Sequence, residues 1–466
     1  MLQITRSFGS RSGACVGAPV GIALGVVVAV GGASTVVGAG TSPDLIVGSV
    51  SMIQKFGTVD GITAYSAGIN SCNIGTANLA WEFETMHHPL IAQQMYRLHD
   101  GRFEMIGLSW CHHGLCALQQ SLCGTCIPAG VGCPSALGVG CSNVSSASST
   151  GLQMHLGPRS AVHGTTGEFA LPWNVAAPAE PTIGRRLQVH SDDLDPSRHP
   201  GALYFVEVLH VHVDDAAAGA ALNNASHRQV VVGAFNDGWN LTFNDLTVVG
   251  LPAIHAWQQH DPEVHLATVD VDADGRFIAA SRAHDNGDGT WSYEYAVMNF
   301  NSDRSARSFT VGVPRGAVVT STGQTIVNHH SGEPYSTDPW TIAVTDDSVT
   351  WTTSAHADDE NANALRWGTM FSFRLVTDAP PRMGSAQIGL FKPGSAPDPF
   401  IDAVVPSSAT IVGDLNGDGV VDGADLGILL ANWGPANGGG AAVGDLNGDD
   451  VVDGADLGIL LANWSG

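Results

Sequence analysis

Residues 291–297 read Trp-Ser-Tyr-Glu-Tyr-Ala-Val, and residues 369–376 read Thr-Met-Phe-Ser-Phe-Arg-Leu-Val. In the first run Trp291, Tyr293, Tyr295 and Val297 take alternate positions. In the second, Phe371, Phe373 and Leu375 point one way while Ser372 and Arg374 point the other. A period of two is the signature of a strand with one buried face. Turn clusters separate such runs: His284 to Thr290 (HDNGDGT), and Asp346-Asp347-Ser348 between TIAV and VTWTTS. Strands joined by short turns, with no helical period between them, predict an antiparallel β-sandwich of about seven strands over residues 266–395. The fold class expected for the chain is therefore mainly β. It is one or more antiparallel sandwiches with a small all-α calcium-loop module at the C-terminal end.

Upstream, residues 41–265 are rich in His, Cys and Gly and also read as mainly β. The stretch Gly201 to Asp214 (GALYFVEVLHVHVD) and Arg228 to Gly233 are strand-like, whereas a mixed segment near Ala92 to Leu98 suggests a short helix. Residues 1–40 carry Arg6 and Arg11, an apolar run from Pro19 to Val30, and small residues up to Ala39 and Gly40. That pattern predicts a cleaved export signal, too short in its apolar run for a span, and a protein that is secreted or held at the cell surface. Seven cysteines between Cys72 and Cys141 fit this address as a disulfide framework with at least one thiol left over. The pair Cys123 and Cys126, followed by Cys133 and Cys141, would alternatively suit a zinc knuckle. With 44 acidic against 19 basic residues the net charge is −25, which disfavours nucleic acid and favours cations as partners. Residues 396–412 have the Pro, Ser and Ala character of a linker.

Residues 413–434 read GDLNGDGVVDGADLGILLANWG, and residues 444–465 read GDLNGDDVVDGADLGILLANWS. A twelve-residue calcium loop takes oxygens from positions 1, 3, 5, 7, 9 and 12, with glycine at 6 for the sharp turn. The first loop offers Asp414, Asn416, Asp418, the Val420 carbonyl, Asp422 and Asp425. The second offers Asp445, Asn447, Asp449, the Val451 carbonyl, Asp453 and Asp456. Two calcium ions are thus expected in residues 413–466, because such clustered carboxylates repel one another without a cation. Asp450 occupies the turn-glycine position of the second loop and should weaken that site. Leu426, Leu429, Leu430 and Trp433 follow at helical spacing, repeated by Leu457, Leu460, Leu461 and Trp464. Two facing stripes would bury one another, with metal fixing each helix start.

Loop, helix, repeat and terminal position together resemble a type I dockerin, a paired EF-hand-like module. The remainder resembles uncharacterised secreted bacterial β-proteins. The dockerin resemblance covers about 54 residues and implies docking onto a cohesin-like or other surface receptor. Dockerins use the loop positions before the last ligand for recognition. Here those are Gly423-Ala424 and Gly454-Ala455, where cellulosomal examples carry hydroxylated residues.

No nucleophile elbow, phosphate loop or HExxH zinc motif occurs. Histidines supply the remaining candidates. His88, His113, His190, His210 and His212 are possible ligands for copper or zinc, with Cys111, His112 and Glu207 nearby in sequence or as further polar candidates. His210 and His212 would share one face of a strand. Asp270-x-Asp272-x-Asp274-Gly275 matches half a calcium loop but is better read as a hairpin turn, since Ser281 stands where the closing acid belongs. The leading expectation is a secreted binding protein carried by the calcium module, with a polysaccharide as one candidate for its unknown upstream ligand. The alternative is a secreted enzyme, either a polysaccharide hydrolase or a His-ligated copper or zinc enzyme.

Overall fold

The computed structural model describes residues 41–114, 116–173, 175–408, 412–416, 420–435 and 443–465. The expected export segment 1–40 and Asp418 of the expected first calcium loop lie outside the described residues. Strand exceeds helix by 42% to 11%, so the chain is mainly β, built from several antiparallel sheets.

Residues 45–243 form one large sheet. Its main path runs Leu45–Val59, Ile62–Asn73, Leu187–His190, Arg102–Leu108, Leu90–His99, Leu203–Val211, Ala225–Phe235, Trp239–Phe243, every neighbour antiparallel. The sheet rolls until its first strand meets its last ones. The Ser226 hydroxyl donates to the Val47 carbonyl at 2.7 Å, Arg228 Nη1 to the Val50 carbonyl at 2.8 Å, and the Tyr65 hydroxyl to the Trp239 carbonyl at 2.6 Å. Rolling covers one face of the central strand Leu203–Val211, where Tyr204, Val206 and Val208 sit with Val47, Tyr65 and Leu187. The other face, with Phe205 and Leu209, packs against the second half of the chain. A strand buried on both faces reads as a continuous apolar run rather than an alternation.

The same burial corrects the helix expected near Ala92 to Leu98, which is the strand Leu90–His99. Gln93 and Gln94 break the alternation that would have marked it. Both are buried, and Gln93 reaches across the rolled sheet to the backbone of Ile62–Asn73, accepting from Ala67 N at 2.8 Å and donating to Ala67 O at 3.0 Å. A buried amide so satisfied costs little.

The second half is a sandwich of ten strands rather than seven, and it spans 265–406 rather than 266–395. One sheet runs His265–Asp270, Arg276–Asp285, Trp291–Asn299, Thr369–Thr377, Val319–Ile326. The other runs Thr341–Val344, Ser348–Thr352, Ala306–Gly312, Pro381–Leu390, Phe400–Pro406. Tyr293, Tyr295, Phe309, Trp351, Phe371 and Phe373 fill the space between them. The expected linker 396–412 is corrected: Phe400–Pro406 is an edge strand paired with Pro381–Leu390. Ile401, Ala403 and Val405 alternate inward there, a pattern that the flanking Pro and Ser residues obscured.

Rolled sheet and sandwich share one hydrophobic core, in which Tyr96, Phe103 and Phe205 continue into Phe277, Tyr293 and Phe371. Polar contacts reinforce the junction. The Ser372 hydroxyl donates to Phe103 O at 2.7 Å, Arg102 Nε to Glu294 at 2.9 Å, and Arg159 Nη1 to Gly368 O at 2.9 Å.

Three disulfides join Cys72 to Cys123, Cys116 to Cys133 and Cys126 to Cys141. They close the loop-rich 116–141 excursion onto the rolled sheet and take Cys123 and Cys126 to different partners, which removes the zinc-knuckle alternative. Cys111 is the thiol left over. It is buried, and burial pushes it up to about 12, so it is unreactive. Among the described residues no helix is long and apolar enough to cross a membrane.

Candidate functional site

The terminal repeats build two nine-residue helices, Gly423–Ala431 and Gly454–Ala462. Helices so short need tertiary support. Each begins with a capping box: Asp422 accepts from Ala424 N at 2.7 Å, and Asp425 returns to accept from Asp422 N at 2.9 Å. Asp453 and Asp456 repeat this at 2.7 and 2.8 Å. The closing acid also gathers its own loop. Asp456 Oδ1 accepts from Leu446 N at 2.7 Å and Asn447 N at 3.1 Å, and Asp425 Oδ1 from Leu415 N at 2.7 Å and Asn416 N at 3.0 Å. Burial opposes ionisation of these two carboxyls, but the converging N–H donors hold both below the usual carboxylate range.

In the second loop Asp445 accepts from Gly448, Asp449 and Asp450 N–H groups at 2.8, 3.2 and 2.9 Å. Asp449 accepts from Val451 N at 3.0 Å and from the Asn447 amide at 2.9 Å. Asp450 has φ +65°, the left-handed turn that position 6 requires. An L-residue other than glycine pays about 1 kcal/mol there. Replacing it, Asp450→Gly, is therefore expected to tighten divalent-ion binding at the second loop about fivefold, read by calorimetric titration of calcium. An unchanged or weaker site would reject that account.

The two repeats pack across each other. A Cβ added at Gly413 would lie 3.1 Å from Leu460 Cα, and one at Gly444 would lie 3.5 Å from Leu429 Cα, so each loop start rests on the other repeat's helix. Val421 and Val452, with Leu429 and Leu460, form the core between them. The sequence expectation that each whole leucine–tryptophan stripe is buried needs correction. Leu426 and Leu457 are only partly buried, Leu430 and Leu461 are each 52% exposed, and Trp433 and Trp464 are 50% and 39% exposed. The valines and loop leucines already fill the interface, leaving the far edge of each stripe in solvent. Gly423-Ala424 and Gly454-Ala455 are exposed as well, so both helices carry the same exposed small and apolar residues.

The histidine candidates do not form one site. His88 and His113 are adjacent, their rings 4.3 Å apart and tilted at 35°. His210 and His212 are both buried, but Val211 ends the strand and they part. His210 Nδ1 faces Leu90 O at 3.2 Å. His212 caps the next helix by accepting from Asp214 N at 3.0 Å and meets Ala80 O at 2.9 Å, so both its nitrogens are committed. His190 is exposed and caps a turn through Asp192 N at 3.3 Å, in a different cavity from His113. Glu207 belongs to the core. It accepts from Ala253 N at 2.5 Å and from the Tyr96 hydroxyl at 3.2 Å, and burial raises it to about 7. Among the described residues no three His, Cys, Asp or Glu side chains are gathered as a metal-holding group, in the loops or among the histidines.

Asp270 to Gly275 is the hairpin turn expected, between His265–Asp270 and Arg276–Asp285. Asp274 serves the fold, accepting from the Thr165 hydroxyl at 2.8 Å and Asp303 N at 3.0 Å.

Sequence reading missed the cavity beside His113. Phe83, Met154, His155, Trp173 and Arg185 line it, and they are scattered over a hundred residues with no periodic or motif signal. The chain matches no protein-family model, and no curated protein matches it.

Proposed function

We propose that the protein is a secreted or surface-held binding protein whose terminal repeats, organised by two calcium ions, dock it onto a receptor in the manner of a dockerin. One observation carries the reading. Two near-identical repeats pack with apolar, solvent-facing tips, Leu430 with Trp433 and Leu461 with Trp464. An exposed tryptophan beside a leucine, repeated on both copies, is the anchor composition of protein interfaces.

The donor set fits calcium rather than a transition metal. It is all hard oxygen, and each carboxylate keeps lone pairs beyond those its N–H donors occupy. Asp414, Asn416, Asp422, Asp425 and the Val420 carbonyl would hold one ion. Asp445, Asn447, Asp449, Asp453, Asp456 and the Val451 carbonyl would hold the other. Asp418 completes the first set by sequence. Three disulfides accord with an oxidising, extracellular setting.

Equilibrium dialysis of the full chain tests the metal. Two calcium ions per molecule are expected, falling to one in Asp425→Ala or Asp456→Ala. Calcium-dependent binding to a panel of immobilised cohesin domains tests the docking. Because the two tips are equivalent, Trp433→Ala or Trp464→Ala alone should weaken capture about twofold, the loss of one of two equal modes, and the double variant should lose it. Retention of no calcium ends this reading.

A further inference from the structure

We propose that each calcium loop is held in its binding geometry by the exit segment of the other repeat, with Ser465 positioning the Val420 carbonyl, so that the two ions bind as a coupled pair. This rests on the preceding reading, since it describes how the same two loops are regulated, but the two can fail separately.

The contacts that carry it cross between the repeats. Beyond the second helix the chain closes on the first loop: Ser465 N donates to Val421 O at 3.0 Å, and Val421 N donates to the Ser465 hydroxyl at 2.9 Å. Beyond the first helix, Gly434 pairs with Val452 and Pro435 with Val451 as a short antiparallel bridge. Gly434 and Ser465 occupy corresponding places in the two copies, as do Val421 and Val452. They are also one of the two places at which the copies differ, so the hydroxyl contact has no counterpart on the glycine side.

What this contact holds is a calcium donor. The Val420 carbonyl, position 7 of the first loop, shares one peptide unit with the Val421 N–H. A trans peptide is planar, so its C=O and N–H point opposite ways. Fixing that N–H on Ser465 therefore fixes the direction of the Val420 oxygen. In the second loop the Val451 carbonyl stands in the same relation to Val452. The side chains of Val421 and Val452 are fully buried in the core the repeats share, against Leu429 and Leu460. By contrast Asp422, Asp425, Asp453 and Asp456 are oriented inside their own repeats by the capping boxes. The position-7 carbonyl is the donor through which one loop senses the other.

The route runs both ways. Ordering the second loop fixes the helix start at Asp453 and, through that helix, the approach of Ser465 to the first loop. Ordering the first loop fixes the helix start at Asp422 and the approach of Gly434 to the second. Neither helix is long enough to persist alone, so an empty loop leaves the opposite carbonyl unheld. Linkage makes the effect reciprocal: whatever factor one ion lends the other, it receives. The docking face then forms over a narrower span of calcium concentration than two independent loops would give.

Calorimetric titration of calcium into the full chain, Asp425→Ala and Asp456→Ala tests the coupling. The product of the two binding constants in the unaltered chain is expected to exceed the product of the two single-loop constants at least fivefold. Equal products, with two ions still bound, would overturn the coupling and leave the calcium reading standing. No calcium bound at all would end both. Ser465 supplies a test that does not depend on those variants folding, because it is exposed at the end of the chain and is no ligand. Ser465→Ala should lower the overall two-ion constant about fivefold, and Ser465→Thr, which keeps the hydroxyl, should restore it. Cadmium-113 bound in place of calcium reports each loop by its own resonance, and Asp450→Gly identifies that of the second. Ser465→Ala should move the first-loop resonance and leave the second in place. A merely structural contact would move both or neither, and either result, or a failure of threonine to rescue, would refute the positioning role.

Discussion

Acidification from pH 7 to 4.5 is expected to unfold the 41–406 body, with a midpoint near pH 5. Seven histidines are held neutral by burial: His112 and His113 to about 3, and His210, His212, His227, His329 and His330 to about 4. Around His112 and His113, neighbouring imidazoles add to the penalty. In the unfolded chain each titrates near 6.5. Below that pH the unfolded state binds more protons than the folded one, so stability falls as pH falls, until the folded pKa values are reached. Each histidine contributes about 1.4 kcal/mol per pH unit in that window, against a typical total of 5–15 kcal/mol.

Four carboxyls oppose the trend, Glu294 and Glu333 being raised by burial as well as Glu207 and Asp215. Burial raises Glu207 to about 7 and Asp215 to about 6, so the folded state holds their protons more tightly and gains as pH falls towards ordinary carboxylate values. Seven histidines outweigh four carboxyls. Tryptophan fluorescence and near-ultraviolet circular dichroism would follow the transition. A native signal persisting at pH 3.5 would show that the histidines are hydrated or paired in ways the packing does not provide.

Chelation should have its largest effect at the other end of the chain. With calcium bound as proposed, its removal would leave each loop's carboxylates facing one another with only N–H donors between them, and the two repeat helices are too short to persist alone. At free calcium a thousandfold above the dissociation constant, an ion stabilises its site by about 4 kcal/mol. With EDTA, cleavage of the full chain by a nonspecific protease within residues 420–465 is therefore expected to accelerate at least a hundredfold. Cleavage in 41–406 should not change. Equal protection of the tail with and without metal would remove calcium from the account.

Different parts of this fold left different traces in the sequence. The sandwich strands were legible where one face meets the core and the other meets solvent or a charged partner, as at residues 292–295, where Tyr293 and Tyr295 are buried and Ser292 and Glu294 only partly so. The rolled sheet was not, because Leu90–His99 is buried on both sides and its glutamines spend their amides on a neighbouring backbone. The edge strand Phe400–Pro406 hid inside a composition that reads as linker. Both helices of the terminal repeats were legible, since their caps and loop acids are local. Which leucines they bury was not, because the valines that complete that core belong to the loops. The His candidates were visible as residue types only. Their carbonyl partners, Leu90 O and Ala80 O, come from segments about 120 to 130 positions away, a distance over which spacing carries no information.

The continuous core between rolled sheet and sandwich sets how this protein can be handled and how it could have arisen. A cut at the loop near residue 265 would leave Phe103 and Phe205 facing water on one piece and Phe277 and Phe371 on the other. Neither piece would be a self-sufficient unit that recombination could move into another gene. Fragments ending there should accumulate in inclusion bodies, and truncation series should keep both halves in one polypeptide.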